Sequence, residues 1–184
     1  MVRVKGSKIS SKLAFVEKEY GPARRADVVA AMSPEDQEAL HLVLEVGWYP
    51  QDLYARLLET MGRVLAPGDP TFYSRIGRHT AEHQFSHSYK AYRASDLAQM
   101  LQNMVPVHST LNEPGVMTAR MEGPDRAVIV VTQPPSTPTI CAVSRAFYQR
   151  AFELHGATAV SVSEPECTGT GQAACRFEIR WSQG

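Results

Sequence analysis

Long apolar runs are missing from this chain of 184 residues. The longest, AVIVV at 127–131, falls far short of the roughly 20 residues a membrane-spanning helix needs. An excess of either charge is missing too. Nineteen basic side chains balance nineteen acidic ones, so no bulk field draws the chain to nucleic acid or to anionic lipid. Neither direct nucleic-acid binding nor a membrane span is expected. The N-terminus, MVRVKGSKISSK, is basic but has no apolar segment behind it. It does not read as a secretory signal, and the chain is expected in the cytoplasm. Cysteine is scarce: three residues, an odd number, argue against a disulfide framework and leave metal binding or catalysis open. GTGQ at 169–172 is not a phosphate-binding loop, because no Gly-Lys-Ser/Thr follows. No GxSxG or strand-to-helix GxGxxG is present.

What is present divides into two textures. SKLAFVEKEY (11–20) reads as a short helix that opens at a serine and stops before Gly21-Pro22, and residues 22–32 read as another. Ser33-Pro34-Glu35-Asp36 is a helix start, with serine as cap and proline in the first turn. WYP at 48–50 is a break, because Pro50 disfavours helical geometry at Tyr49. Residues 51–65 carry apolar side chains at helical spacing, and APGDP (66–70) is a turn. Residues 70–93 read as one long helix, and Ser95 as the cap of another running to about 111. Beyond this point the pattern alternates. Residues 115–122 and 125–132 are two strands joined at Gly123-Pro124, 139–155 is a helix capped by Thr137 and closed by Gly156, and 157–163 and 175–181 are two more strands. The expected fold is α+β: N-terminal helices packed on a four-stranded antiparallel sheet, with a strand–strand–helix–strand–strand C-terminal half. Residues 1–50 are expected to be an N-terminal helical segment integral to that fold, and 51–184 the main domain.

Two of the three cysteines sit in SEPECTGTGQAACRFE (163–178). Cys141 falls in the first turn of the helix at 139–155, Cys167 and Cys175 flank the last turn, and Glu164 precedes Cys167 by three residues. Three thiols and a carboxylate suit tetrahedral zinc, and Gly169 and Gly171 would let the backbone fold around an ion. The plain alternative is a small buried core cysteine with two incidental neighbours. Arg145 and Arg176 are positioned to offset the charge of such a site.

EPECTGTGQAACRFEI (164–179), with Cys141 opening a helix upstream, resembles the V4R (4-vinyl reductase) domain, the sensor module of phenol- and xylene-responsive regulators. The resemblance is best over residues 115–181 and departs from the family at VSRAFYQR (143–150), where a glycine-rich stretch is usual. VKGS at 4–7, WYP at 48–50 and RIGR at 75–78 are also similar to an uncharacterised paralogous family of myxobacterial proteins. The V4R resemblance implies a TRAPP-like fold and a non-catalytic, sensory homodimer that passes its signal to a separate output protein. It also implies a structural Zn²⁺ held by Cys141, Glu164, Cys167 and Cys175. A small aromatic or hydrophobic ligand would then bind near Phe85, Tyr89 and Tyr92, although the same aromatics at helical spacing also suit a filled core. A TRAPP-like scaffold without ligand is the second reading. The third is a metallohydrolase built on HTAEH (79–83), which has the H-x-x-E-H form with His79 and His83 as ligands and Glu82 as base; His87 extends the row.

Overall fold

The structure, a computed structural model, describes residues 2–88, 96–132 and 136–182, with side chains over the same ranges except 87 and 88. A three-residue strand, β1 (Arg3–Lys5), runs directly into helix α1 (Gly6–Tyr20). The junction needs glycine: a Cβ on Gly6 would stand 2.0 Å from the Leu44 carbonyl oxygen. Gly21, with φ +86°, ends α1, and Pro22 opens α2 (Pro22–Ala30). Ser33 caps α3 (Pro34–His41) as expected, its Oγ accepting from Asp36 N at 3.2 Å. Next come β2 (Trp48–Pro50), α4 (Gln51–Leu65) and α5 (Phe72–His83), which continues as a π turn over Gln84–Ser88.

Asp96, rather than Ser95, caps α6 (Leu97–Leu111), accepting from Gln99 N at 2.8 Å. After β3 (Asn112–Glu113) the hairpin β4 (Val116–Gly123) and β5 (Arg126–Thr132) forms as read. Thr137 caps α7 (Pro138–Leu154) through Ile140 N at 3.2 Å. The strands β6 (Thr158–Glu166) and β7 (Cys175–Ser182) follow.

The α+β class and the four-stranded antiparallel sheet are therefore present, in the order β4-β5-β7-β6. The register sets Ile129 opposite Phe177 and Val131 opposite Cys175, which places this row on the buried face. A second antiparallel sheet, β2-β1-β3, was not expected: Val4 pairs with Tyr49 on one side and Asn112 on the other. Strands of two or three residues are too short to show a period of two.

Two apolar clusters fill the interior. One lies between α1, α2, α4 and α5; the other lies between the larger sheet, α6 and α7. Helix α7 serves both, giving Ile140 and Val143 to the first and Cys141, Tyr148 and Phe152 to the second. It packs on α5 at Gly77, where a Cβ would stand 2.3 Å from the Val143 carbonyl oxygen. Arg78 grips both carboxylate oxygens of Glu153 at 3.1 and 2.9 Å, and Arg150 reaches Glu82 at 2.8 Å across the same pair of helices. Among the described residues, no helix is long and apolar enough to cross a membrane.

Candidate ligand cavity and thiol cluster

A partly open cavity lies where α1, α6, α7 and the inner sheet face meet. Its volume is about 150 Å³, room for a ring of benzene size, so a larger flat ligand would have to extend through the open side. Met104, Val107, Met117, Val131, Phe147 and Tyr148 make most of the wall apolar. Because α1 begins at Gly6, Lys8 and Lys12 stand one helical turn apart and both face this cavity.

Lys12 is only 2% exposed. Its Nζ donates to Thr80 Oγ1 at 2.8 Å and to Ser11 Oγ at 3.3 Å. Lys8, partly exposed, donates to Asn112 Oδ1 at 2.7 Å. Both ammonium groups lie over the Tyr54 ring, at 5.0 and 6.0 Å from its centroid. All these partners are neutral. Burial therefore pulls the Lys12 amine down to about 7, with the Lys8 charge adding to it, and pulls Lys8 down to about 8.

His108 lines the same cavity from the last turn of α6. Burial, and then the Lys8 charge, lower it to about 4, so the imidazole is neutral at physiological pH. Its Nδ1 is buried and has no hydrogen-bond partner among the described residues. Asn112 connects the two features: its Nδ2 donates to the His108 carbonyl oxygen at 2.9 Å while its Oδ1 accepts from Lys8.

The thiols converge beside this cavity, and Cys141 and Cys175 belong to its wall. Cys141 Sγ lies 3.3 Å from Cys167 Sγ and 3.9 Å from Cys175 Sγ, and Cys175 lies 4.0 Å from Cys167. With a Glu164 carboxylate oxygen, the four donor atoms all lie within 4.8 Å of one another. The Glu164 side chain is 3% exposed and its Oε1 has no partner, while Arg145 approaches Oε2 at 3.5 Å. Arg176 turns instead to Glu178, at 3.1 Å. Hydrogen bonds from Cys141 and Thr168 pull the Cys175 thiol down to about 6, whereas the bond to Cys175 and burial push Cys141 up.

Of the aromatic residues expected at a pocket, Phe85 lines the cavity and packs on Phe147 and His155, with centroids 6.3 and 4.9 Å away. Tyr89, Tyr92 and the His87 side chain lie outside the described residues. HTAEH does not assemble a catalytic centre. Glu82 is held by Arg150, and the His79 ring packs on Phe15 with centroids 5.0 Å apart and on His83 at 6.2 Å.

Sequence reading missed Lys8, Lys12 and His108. The signal was there for the lysines: Ile9, Leu13 and Val16 carry the helical apolar spacing back before Ser11, and Lys8 and Lys12 fall inside it. His108 looks like an ordinary residue near a helix end until the fold turns it inward.

The fold and cavity define the class: an α+β domain with a mostly apolar chamber lined by one imidazole among the described residues. No protein-family model matches the chain, and no curated protein matches it. Solved structures do. An H-NOX protein from S. oneidensis, in its Fe(II)NO ligation state, superposes with a TM-score of 0.74 at 12% identity over 97% of this chain and 99% of that one. Unliganded Fe(II) H-NOX from K. algicida gives a TM-score of 0.69 at 15% identity over 98% and 97%. A structure described as modulating heme redox potential through protein-induced porphyrin distortion gives 0.67 at 17% identity over 96% and 99%.

These likenesses establish the fold and correct the V4R and TRAPP-like resemblance with the hydrocarbon sensor and ligand-free scaffold built on it, and the separate hydrolase reading of HTAEH. The myxobacterial resemblance, carried by three short peptides, is corrected along with it. The expected cofactor, structural zinc, is corrected as well: the neighbours are described by heme and its iron. The motif misled because a cysteine-flanked hairpin occupies few residues and can sit at the end of more than one α+β sheet. The expectation that the chain is not an enzyme agrees with these neighbours, described by ligation state, redox potential and activation.

Proposed function

We propose that this chain is a sensor domain whose cavity would hold a heme, with His108 as the residue that would ligate its iron. One observation carries the reading: a neutral, half-buried imidazole, whose Nδ1 is buried with no partner among the described residues, lines an apolar chamber. A ligating histidine must be unprotonated, and this one stays so well below neutral pH. The residues suit the group: Met104, Val107 and Phe147 give the apolar walls a macrocycle needs, and two lysines stand ready for its carboxylates. When bound, heme supplies an iron able to take a small diatomic ligand such as the NO of the S. oneidensis structure. The chain's own residues do the rest. Asn112 fixes the end of α6 by holding the His108 carbonyl oxygen. The apolar wall excludes water. Phe85, with Tyr89 and Tyr92, is proposed to contact the ligand, supported by the place of Phe85 in the wall.

Residues 1–50 are proposed to be integral to the domain, supported by the pairing of Val4 with both Tyr49 and Asn112. A homodimer, a separate output protein and a cytoplasmic location belong to the same reading. The exposed Leu42, Leu44 and Val46 support a protein contact, and three free thiols support a reducing compartment.

The test is titration of the purified chain with hemin. One equivalent should bind with a sharp shift of the main heme absorption band. His108→Ala should lose the histidine-ligated spectrum and regain it with added imidazole. An unchanged spectrum in His108→Ala would overturn the assignment.

Cys141, Glu164, Cys167 and Cys175 are proposed as a separate metal-ligating set, supported by their mutual distances. Elemental analysis should find one ion per chain, lost in Cys167→Ser. Metal-free wild type would leave the cluster a group of packed thiols.

A further inference from the structure

Two ammonium groups face one apolar chamber, and among the described residues their partners are neutral and no carboxylate perturbs either of them. Water-accessible lysines need no counter-ion, but Lys12 is 2% exposed. Burying a charge without an opposite charge is costly, and it forces the group toward neutrality. A methionine would fill the same space without that cost. The donors are also incompletely used. An ammonium has three N–H groups. Among the described residues, Lys12 directs them to Thr80 and Ser11, and Lys8 to Asn112, which leaves one and two N–H groups respectively for an incoming acceptor. Thr80 sends its own hydroxyl proton to the Ile76 carbonyl at 2.7 Å, so it is fixed as an acceptor toward Lys12 and holds the amine in place. The first turn of α1, where Lys8 sits, carries no acidic residue, and the positive end of its dipole favours an anion.

We propose that Lys8 and Lys12 form the carboxylate-binding end of the cavity, so that its ligand is an apolar molecule bearing one or two carboxylates. Two sources share that chemistry: the propionates of a heme, and a free long-chain carboxylic acid. The proposal rests on the preceding reading only in taking this cavity as the binding site; it does not require the iron–histidine bond. The lysine stems extend the apolar wall while their heads hold the acid group near the Asn112–His108 end of the chamber. Bound carboxylate would restore full charge to both amines and remove the cost of burying them.

The experiment measures three probes on the full chain: hemin, hemin dimethyl ester, which lacks the acid groups, and dodecanoate. Each is titrated into wild type, Lys8→Met/Lys12→Met, Lys8→Arg/Lys12→Arg and His108→Ala. If propionates are the ligand, wild type binds hemin at least about tenfold tighter than its ester, the size expected of charge-assisted hydrogen bonds. The methionine pair then abolishes the preference, the arginine pair keeps part of it, and His108→Ala keeps it. If dodecanoate binds with the same dependence on the lysines while hemin does not, the carboxylate assignment stands and the heme reading falls. If hemin and its ester bind wild type equally, or if the methionine pair binds the acids undiminished, the lysine assignment is overturned while the heme reading survives. Failure of both acids to bind overturns it as well. Should the methionine pair fold poorly, Lys8→Gln/Lys12→Gln keeps the polar contacts and serves in its place.

Discussion

Lys12 and Asp36 show how one charged side chain is tolerated inside this protein and another is left in tension. Asp36 is 5% exposed, yet Arg56 grips both its oxygens at 2.8 and 2.7 Å, and those hydrogen bonds hold its carboxyl below the usual range. Lys12 is buried more deeply and has only hydroxyl partners. Its folded value of about 7 lies below the 10.5 of an exposed amine, so between these values the unfolded chain binds more protons than the folded one. Stability of the ligand-free protein should therefore rise as pH rises from about 7 to about 10, by up to roughly 4 kcal/mol if Lys12 alone acts. Urea midpoints across that range check this. Lys12→Met should flatten the rise and should raise the midpoint at pH 7, because the desolvated amine is gone.

At the scale of elements, the tightest joint is between α5 and α7. Gly77 lets α5 meet the α7 backbone with only the small Ala146 side chain at the contact, and the Arg78–Glu153 and Arg150–Glu82 pairs flank it. Gly77→Ala drives a methyl group into the Val143 carbonyl oxygen, and neither backbone can yield alone. It should cost about 1–3 kcal/mol, seen as a lower urea midpoint at unchanged slope. Gly123→Ala in the β4–β5 hairpin is the control: a Cβ there meets only Asp125 Oδ1 at 3.6 Å, so the change should stay within about 0.5 kcal/mol. Helix α4 was legible to the residue, because its apolar positions, its proline start and its closing turn all agree. Helix α1 was read five residues short, because SKISSK looks like a solvated lead-in and glycine is a poor helix opener. Only the Leu44 carbonyl packed against Gly6 explains why the helix begins there. The long helix expected over 70–93 is described only as α5 and its π turn; residues 89–95 fall outside the described ranges.

At the scale of the whole molecule, two cores share one helix, and the cavity lies between them. Its wall takes Lys8 and Lys12 from the first helix, His108 from the sixth, Phe147 from the seventh and Phe177 from the last strand, so its parts come from nearly the whole length of the chain. The sequence alone determined the local elements: caps, turns and strand alternation act within a few residues, and Ser33, Thr137 and the β4–β5 hairpin formed as read. It also brought Cys167 and Cys175 together, since a short hairpin turn joins them, and put Cys141 at a helix start. Tertiary structure decided the remainder. A lysine at the start of a helix faces solvent or cavity according to what surrounds it, and here α6 and α7 wall the cavity that Lys8 and Lys12 line. An imidazole titrates near neutrality or stays neutral according to how much water reaches it, and the fold withdraws that water from His108. Burial depends on contacts between residues far apart in the chain, and local patterns carry no record of it.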